Sequence, residues 1–285
     1  MKSAIITGAF GFVGRHLAAH LKQKGVHTIA YDSRKTSPDT LPTADVFYHL
    51  AWEGATGPRR YDAGLQAKNA MMTLEALQAA YECGCKKFIA LGTVYEKFAP
   101  RIKEQNEFRS ADFYILSKNY AHETSNQLAH KLGIDFAWCT ICHPIGRFIK
   151  PEQMMAFLIS NLLAGTPPDF GACKTYFDIV AVSDVALGLG LLGNCDKLKK
   201  REYYIGSPDA KPLYVWLEEV RDILKTDTPI NFLKRTDDGV VLDKSWFNIG
   251  DLVCDTGYSP KISFDEAVKS VAEYIADSGE FACRF

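Results

Sequence analysis

The sequence predicts an α/β protein, a doubly wound parallel sheet followed by a smaller mixed α/β lobe. Three observations predict it. Short β-rich apolar runs alternate with runs of helical period through residues 1–148. The helical runs end on glycines, at Gly25, Gly84 and Gly133, where a helix C-cap favours that residue. A glycine-rich turn joins the first strand to the first helix.

The elements follow in order. "SAIITG" is a strand and "FVGRHLAAHLKQKG" a helix. "VHTIAYD" and "ADVFYHLAW" are the next two strands, and "NAMMTLEALQAAYECG" the second helix. "KKFIALGT" is a fourth strand, "DFYILSKNYAHETSNQLAHKLG" a long helix and "IDFAWCTICHP" a fifth strand. Beyond Pro144 the alternation loosens. "PEQMMAFLISNLLAG" and "PLYVWLEEVRDILK" are helical, and "REYYIGS" is a strand. "TYFDIVAVSDVALGLGLLG" is a strand running into a helix. "SFDEAVKSVAEYIADS" is a last helix, with Ser263 and Glu266 spaced as a capping box. Two parts are expected: residues 1–148, which strand 176–182 rejoins, and a lobe over 149–285.

Composition narrows the function. A net charge of -1 leaves no footprint for nucleic acid. No apolar run is long enough to cross a bilayer, so no membrane partner is expected. The N-terminus lacks an export signal's pattern, so the expectation is a cytoplasmic protein with eight reduced cysteines. "CTICHP" contains C-x-x-C-H, the string of covalent haem attachment. Lying on a strand, Cys139 and Cys142 point to opposite faces, so no haem is expected. A zinc site would need Cys83 and Cys85 to meet that pair from a separate strand. Unpaired cysteines more often pack as small hydrophobes, and no metal is expected.

The turn "TGAFGFVG" places Gly8, Gly11 and Gly14 between strand and helix. Gly8 permits the tight turn, Gly11 lets backbone approach a pyrophosphate, and Gly14 lets helix pack on strand. Asp32 ends the second strand, where a carboxylate accepts the hydroxyls of an adenosine ribose. That favours NAD over NADP, although Arg34 and Lys35 leave NADP open. The lobe before 149 is therefore read as a Rossmann-type dinucleotide domain.

Tyr114 and Lys118 in "YILSK" are four apart on a predicted helix, on one face. Together, the glycine turn, "HLAW", the strand-ending Thr93 and this Y-x-x-x-K pair resemble the extended short-chain dehydrogenase/reductase family. More narrowly, the chain is similar to the NAD-dependent epimerase/dehydratase branch that acts on nucleotide sugars. "YFDIVAVSDVA", "REYYIGSPDAKPLYVWLEEV" and "TGYSPKISFDEAVKSVAEYI" carry the likeness towards the C-terminus.

The resemblance implies roles by position. Tyr114 is the catalytic acid/base, Lys118 lowers its pKa and holds the nicotinamide ribose, and Thr93 hydrogen-bonds the reacting sugar oxygen. The phenolate takes a proton from a sugar hydroxyl while hydride leaves the same carbon. The cofactor is expected along Gly8, Phe10, Gly11, Phe12, Val13 and Gly14, then at Asp32, Ser33 and Arg34. It continues past Leu50, Ala51, Trp52, Asn69, Leu91 and Lys118. The substrate-binding lobe is expected to bring the sugar nucleotide to Glu53, Thr93, Val94, Tyr95, His143, Arg147 and Lys150. Lys174, Arg59 and Arg60 are further candidates for its diphosphate. A homodimer through helices 69–81 and 114–132 is also implied, with Met71, Met72, Leu74 and Leu77 on the shared face.

The sequence departs from that family in three places. Between "YDSRK" and "ADVFYHLAW" there is no room for the usual extra strand, so the sheet should be one edge strand short. Val94 and Tyr95 stand where sugar 4,6-dehydratases carry Asp–Glu, and Glu96 comes one position late. His143 replaces an Asn that reaches the bound sugar nucleotide. The expected function is 4-epimerisation or 4-keto reduction of a nucleotide sugar. A 4,6-dehydratase or a non-catalytic dinucleotide sensor are the alternatives.

Overall fold

A computed structural model describes residues 1–278 apart from 103, 105–107 and 110. The first strands are β1 (Ser3–Thr7), β2 (His27–Tyr31) and β3 (Val46–His49), with α1 (Phe12–Gln23) after β1. Then come α2 (Ala63–Glu82), β4 (Lys87–Thr93), the short α3 (Ala99–Ile102), α4 (Asp112–Leu132) and β5 (Asp135–Ile141). The rest of the chain forms β6 (His143–Ile145), α5 (Met154–Leu163), β7 (Tyr176–Phe177), β8 (Ile179–Ala181) and α6 (Val182–Asn194). It ends with β9 (Glu202–Tyr204), β10 (Lys211–Pro212), α7 (Leu213–Leu224), α8 (Gly250–Thr256) and α9 (Phe264–Ser278).

Among the described residues the main sheet has six parallel strands in the order β2-β1-β3-β4-β5-β9. The order reverses between β1 and β3, and ligands of doubly wound sheets bind at the strand ends beside such a switch. β2 is the edge, as the short 32–45 connection predicts. That connection holds one 3-10 turn at Pro38–Thr40.

Both sheet faces are covered, which is why the strands read as unbroken apolar runs. Ile6, Tyr48, Ile89 and Ala137 face α1 and α6, with Leu17 and Leu189. Their neighbours Ile5, Phe47, Phe88 and Phe136 face α2 and α4, with Leu77 and Ala121. The C-terminal lobe has its own core around Leu158, Trp216, Leu217 and Val268. Val94, Phe98, Tyr114 and Ile115 from the first half of the chain complete it.

Two expectations need correction. Strand 176–182 does not rejoin the main sheet. Ile179–Ala181 pairs with His143–Ile145, and Tyr176–Phe177 pairs with Lys211–Pro212. β9 takes the sheet edge instead, against Trp138–Thr140. The cause is a break at Cys142: beyond Ile141 the fifth strand leaves the sheet and continues as β6. Leu77, expected on a free face, is fully buried under the sheet. Cys139 packs in one apolar cluster and Cys142 against another, as opposite faces require. Among the described residues no helix is long and apolar enough to cross a membrane.

Candidate active site

The strand ends meet a cavity of about 910 Å³ that reaches from the glycine turn into the C-terminal lobe. At one end Gly8, Gly11, Val13 and Gly14 line it. The backbone is packed too closely there for side chains. A Cβ on Gly14 would lie 2.0 Å from the Gly8 carbonyl oxygen, and one on Gly8 would lie 2.8 Å from the Ala51 nitrogen. Gly8 also needs its positive φ of 69°. No side chain caps the first turn of α1, which leaves its N–H groups and dipole for an anion. This donor set fits a dinucleotide pyrophosphate.

Asp32 directly follows β2, where both carboxylate oxygens accept from Arg34, at 2.9 Å each. Hydrogen bonding from that guanidinium holds the carboxyl down at about 2. The pair is solvent-exposed, so opening it costs little. Phe10 is 78% exposed, and Phe10, Asp32, Ser33, Arg34 and Ala51 stand outside the cavity.

At the centre Tyr114 and Lys118 rise one turn apart from α4. The helix starts one residue after Ala111 and ends on Gly133 in the left-handed conformation. Trp52 stands edge-on to the Tyr114 ring, centroids 6.2 Å apart. Lys118 Nζ lies 3.7 Å above the Trp52 ring and donates to the Leu91 carbonyl at 2.7 Å. Burial lowers the Lys118 ammonium to about 7, partly offset by the charge of Glu96. Burial pushes the Tyr114 phenol up to about 12. The Arg60 guanidinium opposes this, Glu96 adds to it, and hydrogen bonding from Thr93 opposes it.

Thr93 ends β4 and is braced from below. Its side chain accepts from the Tyr95 N–H at 3.4 Å, and its own N–H donates to Glu96 at 2.7 Å. The buried Glu96 carboxylate also accepts from the Trp138 indole at 2.9 Å and faces His122 at 3.3 Å. His122 is one turn beyond Lys118 and stacks on Trp138, centroids 4.8 Å apart. Sequence reasoning took Glu96 only as a misplaced dehydratase acid. T-x-x-E over 93–96 was the available signal, a capping box. The turn it opens, Val94–Phe98, explains a further correction. Val94 points into the core at 0% exposure and away from the cavity.

His143 lines the far side, 6.2 Å from the Phe177 ring. Its Nε2 is buried without a partner among the described residues, and burial lowers the ring to about 4, so it is neutral. Tyr95, Lys150 and Lys174 also line the cavity, as do Phe12, Leu50, Trp52, Leu91 and Arg60. Glu53, Arg59 and Arg147 do not. Glu53 is paired with Arg59 on the surface, while the Arg147 guanidinium covers the Tyr274 ring at 5.6 Å. Asn69 braces rather than lines: its amide accepts from the Glu53 N–H at 3.0 Å and donates to the Glu53 carbonyl at 2.8 Å. Among the described residues no group of three or more His, Cys, Asp or Glu side chains is placed to hold a metal.

Known proteins share this fold. The chain is 25% identical over 187 residues to UDP-2-acetamido-2,6-beta-L-arabino-hexul-4-ose reductase of Pseudomonas aeruginosa. The match covers 64% of this chain and 46% of that relative, so the chain spans less than half its length. Among solved structures, the UDP-N-acetylglucosamine 4-epimerase of Methanobrevibacter ruminantium superposes with a TM-score of 0.82 at 18% identity. The alignment covers 97% of this chain and 99% of that one. The UDP-glucose 4-epimerase of Thermotoga maritima gives 0.80 at 19%, over 97% and 99% of the two chains. RMD of Pseudomonas aeruginosa, solved with NADPH, gives 0.77 at 20%, over 96% and 98%. Residues 4–206 match the family described as NAD dependent epimerase/dehydratase, and the chain belongs to that family.

Proposed function

We propose that this chain binds NAD, with NADP as the lesser partner, and transfers hydride at C4 of a nucleotide-linked hexose, by 4-epimerisation or 4-keto reduction. One observation carries the proposal: Thr93, Tyr114 and Lys118 converge on the cavity whose other end is the glycine turn. Val94 and Tyr95 occupy the positions of a dehydratase acid pair, which disfavours loss of water. The 4-ulose reductase named above and the 4-epimerases of like fold support the two retained outcomes.

The bound nicotinamide supplies the hydride acceptor or donor. The protein moves the proton. Tyr114 is held in its neutral form by burial and is the general acid for an oxygen at C4. Positive charge near the phenol favours the base form needed in the other direction. Thr93, fixed by Glu96, presents a second hydroxyl to the same oxygen. Lys150 and Lys174 line the same cavity, and their charges suit the diphosphate.

Purified protein is given UDP- and dTDP-hexoses with and without added nicotinamide. Turnover without addition identifies an epimerase with retained cofactor, and turnover that needs stoichiometric NAD(P)H identifies a reductase. Tyr114→Phe should bind cofactor normally and lose at least about 100-fold in kcat. Unchanged kcat would remove Tyr114 from the mechanism.

A further inference from the structure

Arg60 reaches the Tyr114 phenol from a separate part of the chain. It sits on a 3-10 turn, Pro58–Tyr61, in the loop after β3. That loop is clamped by two buried amides of α2. Gln66 donates to the carbonyls of Gly54 and Arg59, at 3.0 Å each, and accepts from the Trp52 indole at 2.8 Å. Asn69 makes its reciprocal pair with Glu53. Gln66 is 0% and Asn69 3% exposed, so these bonds are shielded from water. Gly54 and Gly57, both at φ 68°, supply the bends.

The clamp delivers a guanidinium to the face of the catalytic ring. The Arg60 central carbon lies 4.8 Å from the centroid of Tyr114 and 5.4 Å from that of Tyr95. Its Nε is buried and has no hydrogen-bond partner among the described residues. A guanidinium keeps its charge at every working pH, whereas a buried ammonium does not. Lys118 is such an ammonium, and it is already committed to the Leu91 carbonyl and the Trp52 face.

We propose that Arg60 is a second, permanent cation of the active site, a positioning residue that favours the phenolate of Tyr114 while the charge on Lys118 varies. This rests on Tyr114 being the acid/base.

Every charged or titratable neighbour of the phenol enters the balance. Lys118 stands one turn along the same helix. Glu96, below the end of β4, opposes Arg60, and Thr93 supports it by hydrogen bonding. Tyr95 shares the Arg60 face. Asp238, from the loop that lines the cavity, faces the guanidinium. Its carboxyl is raised by burial, against the pull of its Val240 hydrogen bond and of Arg60.

The full chain with bound cofactor is tested as wild type, Arg60→Met, Arg60→Gln and Arg60→Lys, on a sugar nucleotide the wild type turns over. With the sugar alcohol as substrate, the direction in which Tyr114 acts as base, the acid limb of the kcat profile should move up in both neutral variants by about one pH unit or more, a roughly tenfold loss at fixed pH below the limb. Arg60→Lys should restore it only in part, at pH values where its ammonium stays charged. A second readout does not depend on turnover. The near-ultraviolet difference titration between each form and its Tyr114→Phe counterpart reports the phenol directly, and it should ionise at higher pH without the guanidinium. An unmoved limb and an unmoved titration in Arg60→Gln overturn the proposal. So does an equal loss at every pH that Arg60→Lys fails to restore, which would make Arg60 only a scaffold. Tyr114→Phe separates the two levels. If it retains turnover, the acid/base reading fails; if it is inactive and the Arg60 profiles do not move, only the second cation fails.

Discussion

His49 shows how one side chain sets conditions for the whole site. It ends β3 beside the switch point, 4% exposed, with Nδ1 2.9 Å from the Thr7 hydroxyl and Nε2 3.1 Å from that of Thr73. It therefore ties β1, β3 and α2 together just before the loop that carries Trp52 and Arg60. Burial, with the nearby Lys118 charge, lowers its pKa to about 3. The unfolded chain takes up this proton near 6.5, so between 6.5 and 3 it binds more protons than the folded one. Stability is then full above 6.5 and falls as pH drops. The loss is about 1.4 kcal/mol per unit, or about 2 kcal/mol by pH 5. Denaturant unfolding of wild type and His49→Gln at pH 7 and pH 5 checks this. The variant should be less stable at pH 7, and its stability should fall less between the two values. Parallel pH slopes would mean that His49 is not the group responsible.

At the scale of elements, the cofactor end depends on how closely α1 approaches the turn before it. A methyl on Gly14 would meet backbone atoms of Gly8, at 2.0 Å from oxygen and 2.8 Å from carbon, and neither can rotate away. Gly14→Ala should cost about 2–3 kcal/mol in thermal unfolding and weaken NAD binding at least tenfold, since the same shift moves the first-turn N–H groups. Normal Tm with normal NAD affinity would show that the turn is not the pyrophosphate site. This element was legible because its signal is local: a strand, three glycines and a helix in sequence. So were α4 and its Tyr114–Lys118 face. Long-range features were not. The partner of β8 lies 36 residues upstream, at β6, where nothing in "IVA" specifies it. Arg60 stands 54 residues before Tyr114, and only the α2 amides bring it there. The seven-residue helix α8 offered too few residues to show a period. α2 starts at Ala63, six residues before Asn69, because Asp62 caps it by accepting from the Leu65 N–H.

At the scale of the molecule, α4 works on two sides. Tyr114, Lys118 and His122 point to the site and the sheet. Leu116 and Tyr120, between them in sequence, are 39% and 50% exposed. α2 packs alongside α4 and leaves Met71 49% exposed. A large aromatic and two long aliphatic side chains are thus exposed on these neighbouring helices. The same helices hold the proposed catalytic pair and the two amides that clamp the Arg60 loop. A second copy pairing there by a two-fold axis would bury this surface and stiffen both supports of the site. The expected assembly is therefore a homodimer through α2 and α4. Sedimentation equilibrium at micromolar concentration should give about twice the chain mass of 31.7 kDa. Leu116→Glu with Tyr120→Glu should give a folded monomer, since neither side chain belongs to the core. A wild-type monomer under those conditions would reject the pairing. A dimer that survives the double substitution would move it to another face.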